Sequence, residues 1–146
     1  MQISLVNSGL FDSVVKLIRN SDKIFSWSDN QILDSLHKDL ILGLFDNDNL
    51  LAIAIFSKVC DTAELLYICV DRYNHNRGLG FKLLKESIDY LAKQHIKEIF
   101  LEVNVQNYNA IKLYKKLNFK QISLRKNYYT KNNDSSSDAF VYKLEL

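Results

Sequence analysis

Glu102 stands alone as a charge in the apolar run Ile99-Phe100-Leu101-Glu102-Val103. A carboxylate in such surroundings is costly unless paired, and desolvation raises its affinity for a proton. That suits a general base. A strand glutamate facing solvent, or one paired with an arginine or lysine, is the equally simple alternative. Further along, Tyr114 falls on the apolar face of an expected helix with Ala110, Ile111 and Leu117. Periodicity reads it as a core aromatic, but a buried phenol still needs a partner for its hydroxyl. Asn107, ahead of that helix, is most simply its cap.

The densest signal is Val70-Asp71-Arg72-Tyr73-Asn74-His75-Asn76-Arg77-Gly78-Leu79-Gly80, which follows an apolar strand and opens an amphipathic helix. Glycines let backbone approach a ligand closely. The first helical turn then offers unpaired N–H groups and a positive dipole end to an anion. Arg77 and Lys82 add positive charge, so the segment has the makings of a diphosphate cradle. A tight strand-to-helix turn with no ligand is the competing reading. No Gly-Lys-Ser/Thr follows, and Leu83 stands where a dinucleotide fingerprint needs its third glycine.

The elements that must hold these residues follow from periodicity. Phe11, Val14, Val15 and Ile18 predict a helix over about Gly9 to Arg19. A second begins near Ser28, where Ser28 and Gln31 form a capping-box pattern. Asp46-Asn47-Asp48-Asn49 is a turn between the strands Leu40–Phe45 and Leu50–Val59. Glu64–Val70 reads as a strand buried on both faces. Leu79, Leu83, Leu84, Ile88 and Leu91 place a strong helix after the glycines. Glu98–Val103 is the next strand, followed by the Asn107-capped helix and the strands Phe119–Arg125 and Ala139–Leu144. The predicted order is β-α-α-β-β-β-α-β-α-β-β, an α/β mixed sheet with helices on its faces, in a single domain over residues 1–146.

Composition narrows the function classes. An apolar content of 47% with 25% charged residues is that of an ordinary globular protein. A net charge of +2, with lysines scattered among acids, does not predict a nucleic-acid partner. No apolar run reaches the roughly 18–20 residues that cross a bilayer, and the N-terminal residues lack a signal-peptide pattern, so a cytoplasmic protein with no membrane partner is expected. Cys60 and Cys69 fit that compartment as packed, reduced thiols. His37, His75 and His95 have no metal-ligand spacing, so no metal is expected.

The glycine segment resembles the coenzyme A-binding motif of the GCN5-related N-acetyltransferases (the GNAT family), (Gln/Arg)-x-x-Gly-x-(Gly/Ala). The run Glu102-Val103 through Asn107, Ala110, Leu113 and Tyr114 to Asn118-Phe119 resembles that family's second signature. Asn118 replaces the usual glycine there, and asparagine is the next best residue for a left-handed helix end. The likeness is closest to the bacterial ribosomal-protein-alanine N-acetyltransferases (RimI-like). It extends from Phe25-Ser26-Trp27-Ser28 to Leu124-Arg125-Lys126-Asn127-Tyr128-Tyr129 and Ser137-Asp138-Ala139, so it covers nearly the whole chain.

The resemblance implies acetyl-coenzyme A as cosubstrate. Its diphosphate would lie on Asn76, Arg77, Gly78, Leu79, Gly80 and Phe81, and its pantetheine arm along Ile68, Cys69 and Val70, with a contact to Asn107. It implies Glu102 as base and Tyr114 as the acid that protonates the departing thiolate. Phe25, Trp27, Tyr128 and Tyr129 would surround the acceptor, a protein N-terminus such as the N-terminal alanine of a small-subunit ribosomal protein. A hydrophobic plug for Phe25 and Trp27, and strand packing for the two tyrosines, are the alternatives. His75 and Arg72 depart from the family's Gln/Arg and its common proline. A monomer or weak dimer is expected. The rival functions are acetylation of a lysine or a small amine (polyamine, aminoglycoside) and a non-catalytic coenzyme A-binding module.

Overall fold

A computed structural model describes residues 1–127 and 138–146. The elements follow the predicted order: β1 (Gln2–Leu5), α1 (Phe11–Ser21), α2 (Asp29–Lys38), β2 (Leu40–Asp46), β3 (Asn49–Val59), β4 (Thr62–Val70), α3 (Leu79–Lys93), β5 (Glu98–Asn104), α4 (Tyr108–Lys116), β6 (Lys120–Arg125) and β7 (Ala139–Glu145). Local chemistry sets several of these boundaries. Ser28 Oγ accepts the Gln31 N–H at 3.2 Å while Gln31 Oε1 accepts the Ser28 N–H at 2.8 Å, which closes the capping box and starts α2. Asn118 ends α4 at φ 71°, the left-handed conformation expected of it. The first helix starts later than predicted. Asn7 caps a 3-10 turn over Ser8–Leu10, and α1 begins only at Phe11.

The strands form a seven-stranded sheet in the order β1-β2-β3-β4-β5-β7-β6. β4 and β5 run parallel, joined through α3, and the other neighbouring pairs are antiparallel. One face packs on α1 and α2, burying Val14, Ile18, Ile32, Ile41, Ile53 and Ile55. The other packs on α3 and α4, burying Leu42, Ala54, Phe56, Leu83, Leu84 and Leu101.

The strand expected to be buried on both faces departs from that reading. Glu64 and Leu66 are exposed. The β3–β4 register passes from Ile55↔Tyr67 to Phe56↔Leu65, leaving Leu66 as an extra, bulged residue. A bulge bends its strand and shifts the alternation of side chains by one. Ala63 and Leu65 accordingly pack on the α3/α4 side, whereas Tyr67 and Cys69 pack on the α1/α2 side and Ile68 and Val70 return to α3/α4. Continuous apolarity here reflects one strand serving both cores in turn.

Gly43 in β2 marks a tight crossing, because a Cβ there would come within 2.7 Å of both Leu50 Cδ1 and Val6 Cγ2. Gly43→Ala should lower unfolding free energy by about 1–3 kcal/mol through overpacking. Urea denaturation would check this, with an unchanged midpoint arguing against close packing at that point.

Candidate active site

The bulge has a direct consequence for the parallel pair. β4 and β5 are in register only from Thr62↔Glu98 to Leu65↔Leu101, although β4 continues to Val70 and β5 to Asn104. β3 stays paired with β4 as far as Val70. Beyond Leu65 the two parallel strands therefore diverge, and the edge of β4 that faces β5 offers main-chain groups with no strand partner. A backbone edge of that kind can pair with an extended amide-bearing ligand. Ile68, Cys69 and Val70, the residues singled out in the sequence, form this edge. Burial pushes the Cys69 thiol up to about 11, so it is a packed thiol rather than a nucleophile. Cys60, by contrast, is exposed in the turn between β3 and β4, at φ 55°, rather than packed as the sequence suggested.

The loop from Asp71 to Gly78 closes the upper end of this gap. Asp71 N–H donates to Leu51 O at 2.8 Å, Asn74 Nδ2 donates to Asp71 Oδ2 at 2.5 Å, and the Arg77 guanidinium donates to Asn74 Oδ1. His75 Nε2 lies 2.9 Å from Val70 O, tying the loop to the strand end. Asn76 and Gly78 take left-handed φ values of 61° and 72°. A Cβ on Gly78 would meet nothing within 4 Å, so this glycine is required by its backbone angle and leaves open space beside it. Among the described residues no side chain caps the first turn of α3. The N–H groups of Leu79, Gly80 and Phe81 thus form a helix start suited to a phosphate.

The surrounding charge differs from the sequence expectation. Arg77 is held within the loop, and Lys82 is engaged by Glu86 at 2.8 Å. Two lysines that the sequence reading did not single out flank Phe81 instead, Lys116 at 4.7 Å from its ring centre and Lys85 at 6.0 Å.

Glu102 and Tyr114 lie on opposite faces of β5. Ile99, Leu101 and Val103 point into the α3/α4 core, which places Phe100 and Glu102 on the other face. Glu102 is not isolated among apolar groups as its sequence neighbours suggested. Its side chain is 18% exposed, and Arg125 Nη1 donates to its Oε1 at 2.6 Å. Its Oε2 is buried and makes no hydrogen bond among the described residues. Tyr114 is 5% exposed, with its ring centre 5.8 Å from that of Phe119 and 6.4 Å from that of Tyr142, a β7 residue opposite Leu101. Asn107 Oδ1 accepts the Ala110 N–H at 3.3 Å, so it caps α4 as its position implied.

On the Glu102 side, a hollow of about 270 Å³ is lined by Ser57, Glu64, Phe100, Glu102 and Val141 among others. Ser57 also borders a larger hollow of about 520 Å³ that reaches Leu66, Gln31 and Trp27. The two hollows share Ser57 as a wall and together make a groove between α2 and Glu102. Trp27 lines it, its carbonyl held by Arg19 Nη2 at 2.6 Å. Phe25 instead stacks on Tyr67 at 4.1 Å, and the Tyr67 hydroxyl donates to Asp22 Oδ2 at 2.7 Å, so Phe25 plugs the α1–α2 connection against β4. Tyr128 and Tyr129 lie outside the described residues.

An open-ended parallel strand pair, an uncapped helix start above it and a carboxylate below it make a cleft for an extended, phosphate-bearing acyl donor. Comparison with known proteins agrees. Residues 13–119 match the Acetyltransferase (GNAT) family. The chain is similar to the [ribosomal protein bS18]-alanine N-acetyltransferase of Escherichia coli K12, 35% identical over 123 residues that span 84% of this chain and 82% of the relative. Its similarity to the protein of the same name from Haemophilus ducreyi is 34% over 130 residues, 88% and 90% of the two chains. A crystal structure of the E. coli ribosomal-protein-S18-alanine N-acetyltransferase superposes with a TM-score of 0.88 at 30% identity, covering 99% of this chain and 92% of that one. The chain belongs to the GNAT family of acetyltransferases.

Proposed function

We propose that this enzyme transfers an acetyl group from acetyl-coenzyme A to the N-terminal α-amine of a protein, the N-terminal alanine of a small-subunit ribosomal protein being the favoured acceptor. The observation that carries the reading is the placement of Glu102 and Tyr114 on opposite faces of β5, with Glu102 the first β5 residue beyond its pairing with β4. Acyl transfer to an amine needs that separation. The nucleophile approaches the thioester carbonyl from one side while the sulfur leaves toward another group. The choice of acceptor is supported by the names of the relatives, which act on the alanine of a ribosomal protein.

Acetyl-coenzyme A supplies the activated acyl group and a thiolate leaving group. In the proposed arrangement the amides at Asn76, Arg77, Gly78, Leu79, Gly80 and Phe81 hold its diphosphate, and the β4 edge at Ile68–Val70 pairs with the amides of its arm. Asn107, whose Oδ1 is occupied as a cap, retains its side-chain N–H groups for a further contact. An N–H at the β4 edge steadies the charge that builds on the carbonyl oxygen. The acceptor chain lies in the groove past Trp27. Its ammonium meets the Glu102 carboxylate, which removes a proton directly or through water. An α-amine titrates near ~8 and a lysine near ~10.4, so a weak carboxylate base favours the former at neutral pH. Tyr114 returns a proton to the departing thiolate.

Two predictions follow from this assignment. Tyr114→Phe should lower kcat by about 100-fold, the scale of a lost proton donor, with little change in coenzyme A affinity by calorimetry. An unchanged kcat would remove Tyr114 from the chemistry. Peptides beginning in alanine should be acetylated, whereas the same peptides with blocked N-termini, polyamines and aminoglycosides should not. Transfer only to the blocked peptides would identify a lysine acetyltransferase, and cofactor binding with no transfer to any amine would identify a binding module.

A further inference from the structure

The hollow beneath the β4–β5 gap holds a second carboxylate that no part of the mechanism above uses. Glu64 stands on β4 opposite Phe100, which places it diagonally across the strand pair from Glu102, and both side chains line the same cavity of about 270 Å³. They differ in setting. Glu102 lies deeper, with one oxygen held by Arg125, whereas Glu64 is exposed at the rim. Two carboxylates and one guanidinium leave the hollow with one net negative charge, the complement of a single ammonium.

We propose that Glu64 is the proton-relay residue of this site, carrying the acceptor's proton from Glu102 to solvent. The inference rests on the acetyltransferase reading and deepens it. In the relay, an N–H bond of the ammonium breaks as an O–H bond forms at the Glu102 carboxylate. That proton passes to a Glu64 oxygen, directly or across water, and from Glu64 to bulk solvent. The amine keeps the electron pair that attacks the carbonyl, and both carboxylates end as they began. The cavity is large enough for bridging water, since each water occupies about 30 Å³.

The charges around Glu64 agree with this direction of flow. Its carboxyl is raised above the ordinary range by partial burial first and by the Glu102 charge second, and Arg125 opposes both. Its β3 neighbour, Ser57, is uncharged. On β7, Lys143 lies over the Phe100 ring at 5.9 Å but is engaged by Glu98 at 3.3 Å and Glu145 at 3.1 Å. A carboxyl with raised proton affinity at the exposed rim of the shared hollow suits a group that takes up the proton and passes it to solvent. It must be ionised to do so, and activity should therefore fall as pH drops through its titration.

The test combines titration with kinetics. Carboxyl carbon NMR on the intact protein should show Glu64 titrating above the usual Glu value near ~4.3, moving down in Glu102→Gln and up in Arg125→Gln. Glu64→Gln should reduce kcat about 10-fold at neutral pH and move the acidic limb of the kcat profile to lower pH, with Glu64→Asp restoring most of both. A Glu64 titration that ignores Glu102 and Arg125 would overturn the shared hollow. A coupled titration with a wild-type rate profile in Glu64→Gln would overturn the relay alone. Coupled carboxyls in a protein that acetylates no amine would instead overturn the reading on which the relay rests.

Discussion

Neighbouring parallel strands ordinarily stay hydrogen-bonded along their shared length, because each unpaired backbone group taken from water is a loss. Here β4 and β5 separate after Leu65 and Leu101, and the site depends on that separation. Its source is the extra residue at Leu66, which turns β4 while β3 follows it to Val70. The exposed edge is tolerable because it faces a cleft and is available to a ligand. Phe25 stacked on Tyr67, with Asp22 taking the phenolic proton, buttresses the bent strand from the α1/α2 side. The start of α3 lies on the other side, where a Cβ added to Gly80 would meet Val70 and Leu113 at an ordinary contact distance of 3.7 Å.

The same bend governs the electrostatics. With β5 released from β4 at Leu101, Glu102 is its first residue beyond the pairing, at the mouth of the gap. β7 remains paired with β5 throughout, and β6 with β7, so the outer hairpin delivers Arg125 to one oxygen of that carboxylate. The other oxygen is buried and has no hydrogen-bond partner among the described residues. A helix start for an anion lies above the gap and a carboxylate pair for a cation lies below it, so donor and acceptor are drawn to opposite ends of one cleft.

Much of this was legible in the residues. Ser28 with Gln31, Asn107 and Asn118 act through their own nearest backbone, so their roles survive in any tertiary setting that keeps the helices. The two faces of β5 were not legible, because Phe100 between Ile99 and Leu101 makes the stretch a continuous apolar run. The bulge was hidden because Leu65 and Leu66 are both leucines, and an apolar run carries no mark of where its register slips. Arg125 was noted only as part of a resemblance. Its contact with Glu102 depends on long-range pairing through β7, which local spacing does not encode. Glu64 was read as the start of a doubly buried strand, when the face it occupies is left uncovered by α1 and α2. The positive charge near the cradle comes from Lys85, four residues after Phe81 on α3, and from Lys116 of α4, whose approach to Phe81 is a long-range contact.

Backbone hydrogen exchange with and without coenzyme A addresses the open edge most directly. Amides within Leu66–Val70 and at Leu79, Gly80 and Phe81 should slow together when the cofactor is added, while the already paired Thr62–Leu65 stretch should change little. Protection confined to other parts of the chain, or no protection at saturating cofactor, would contradict a ligand held between β4 and β5.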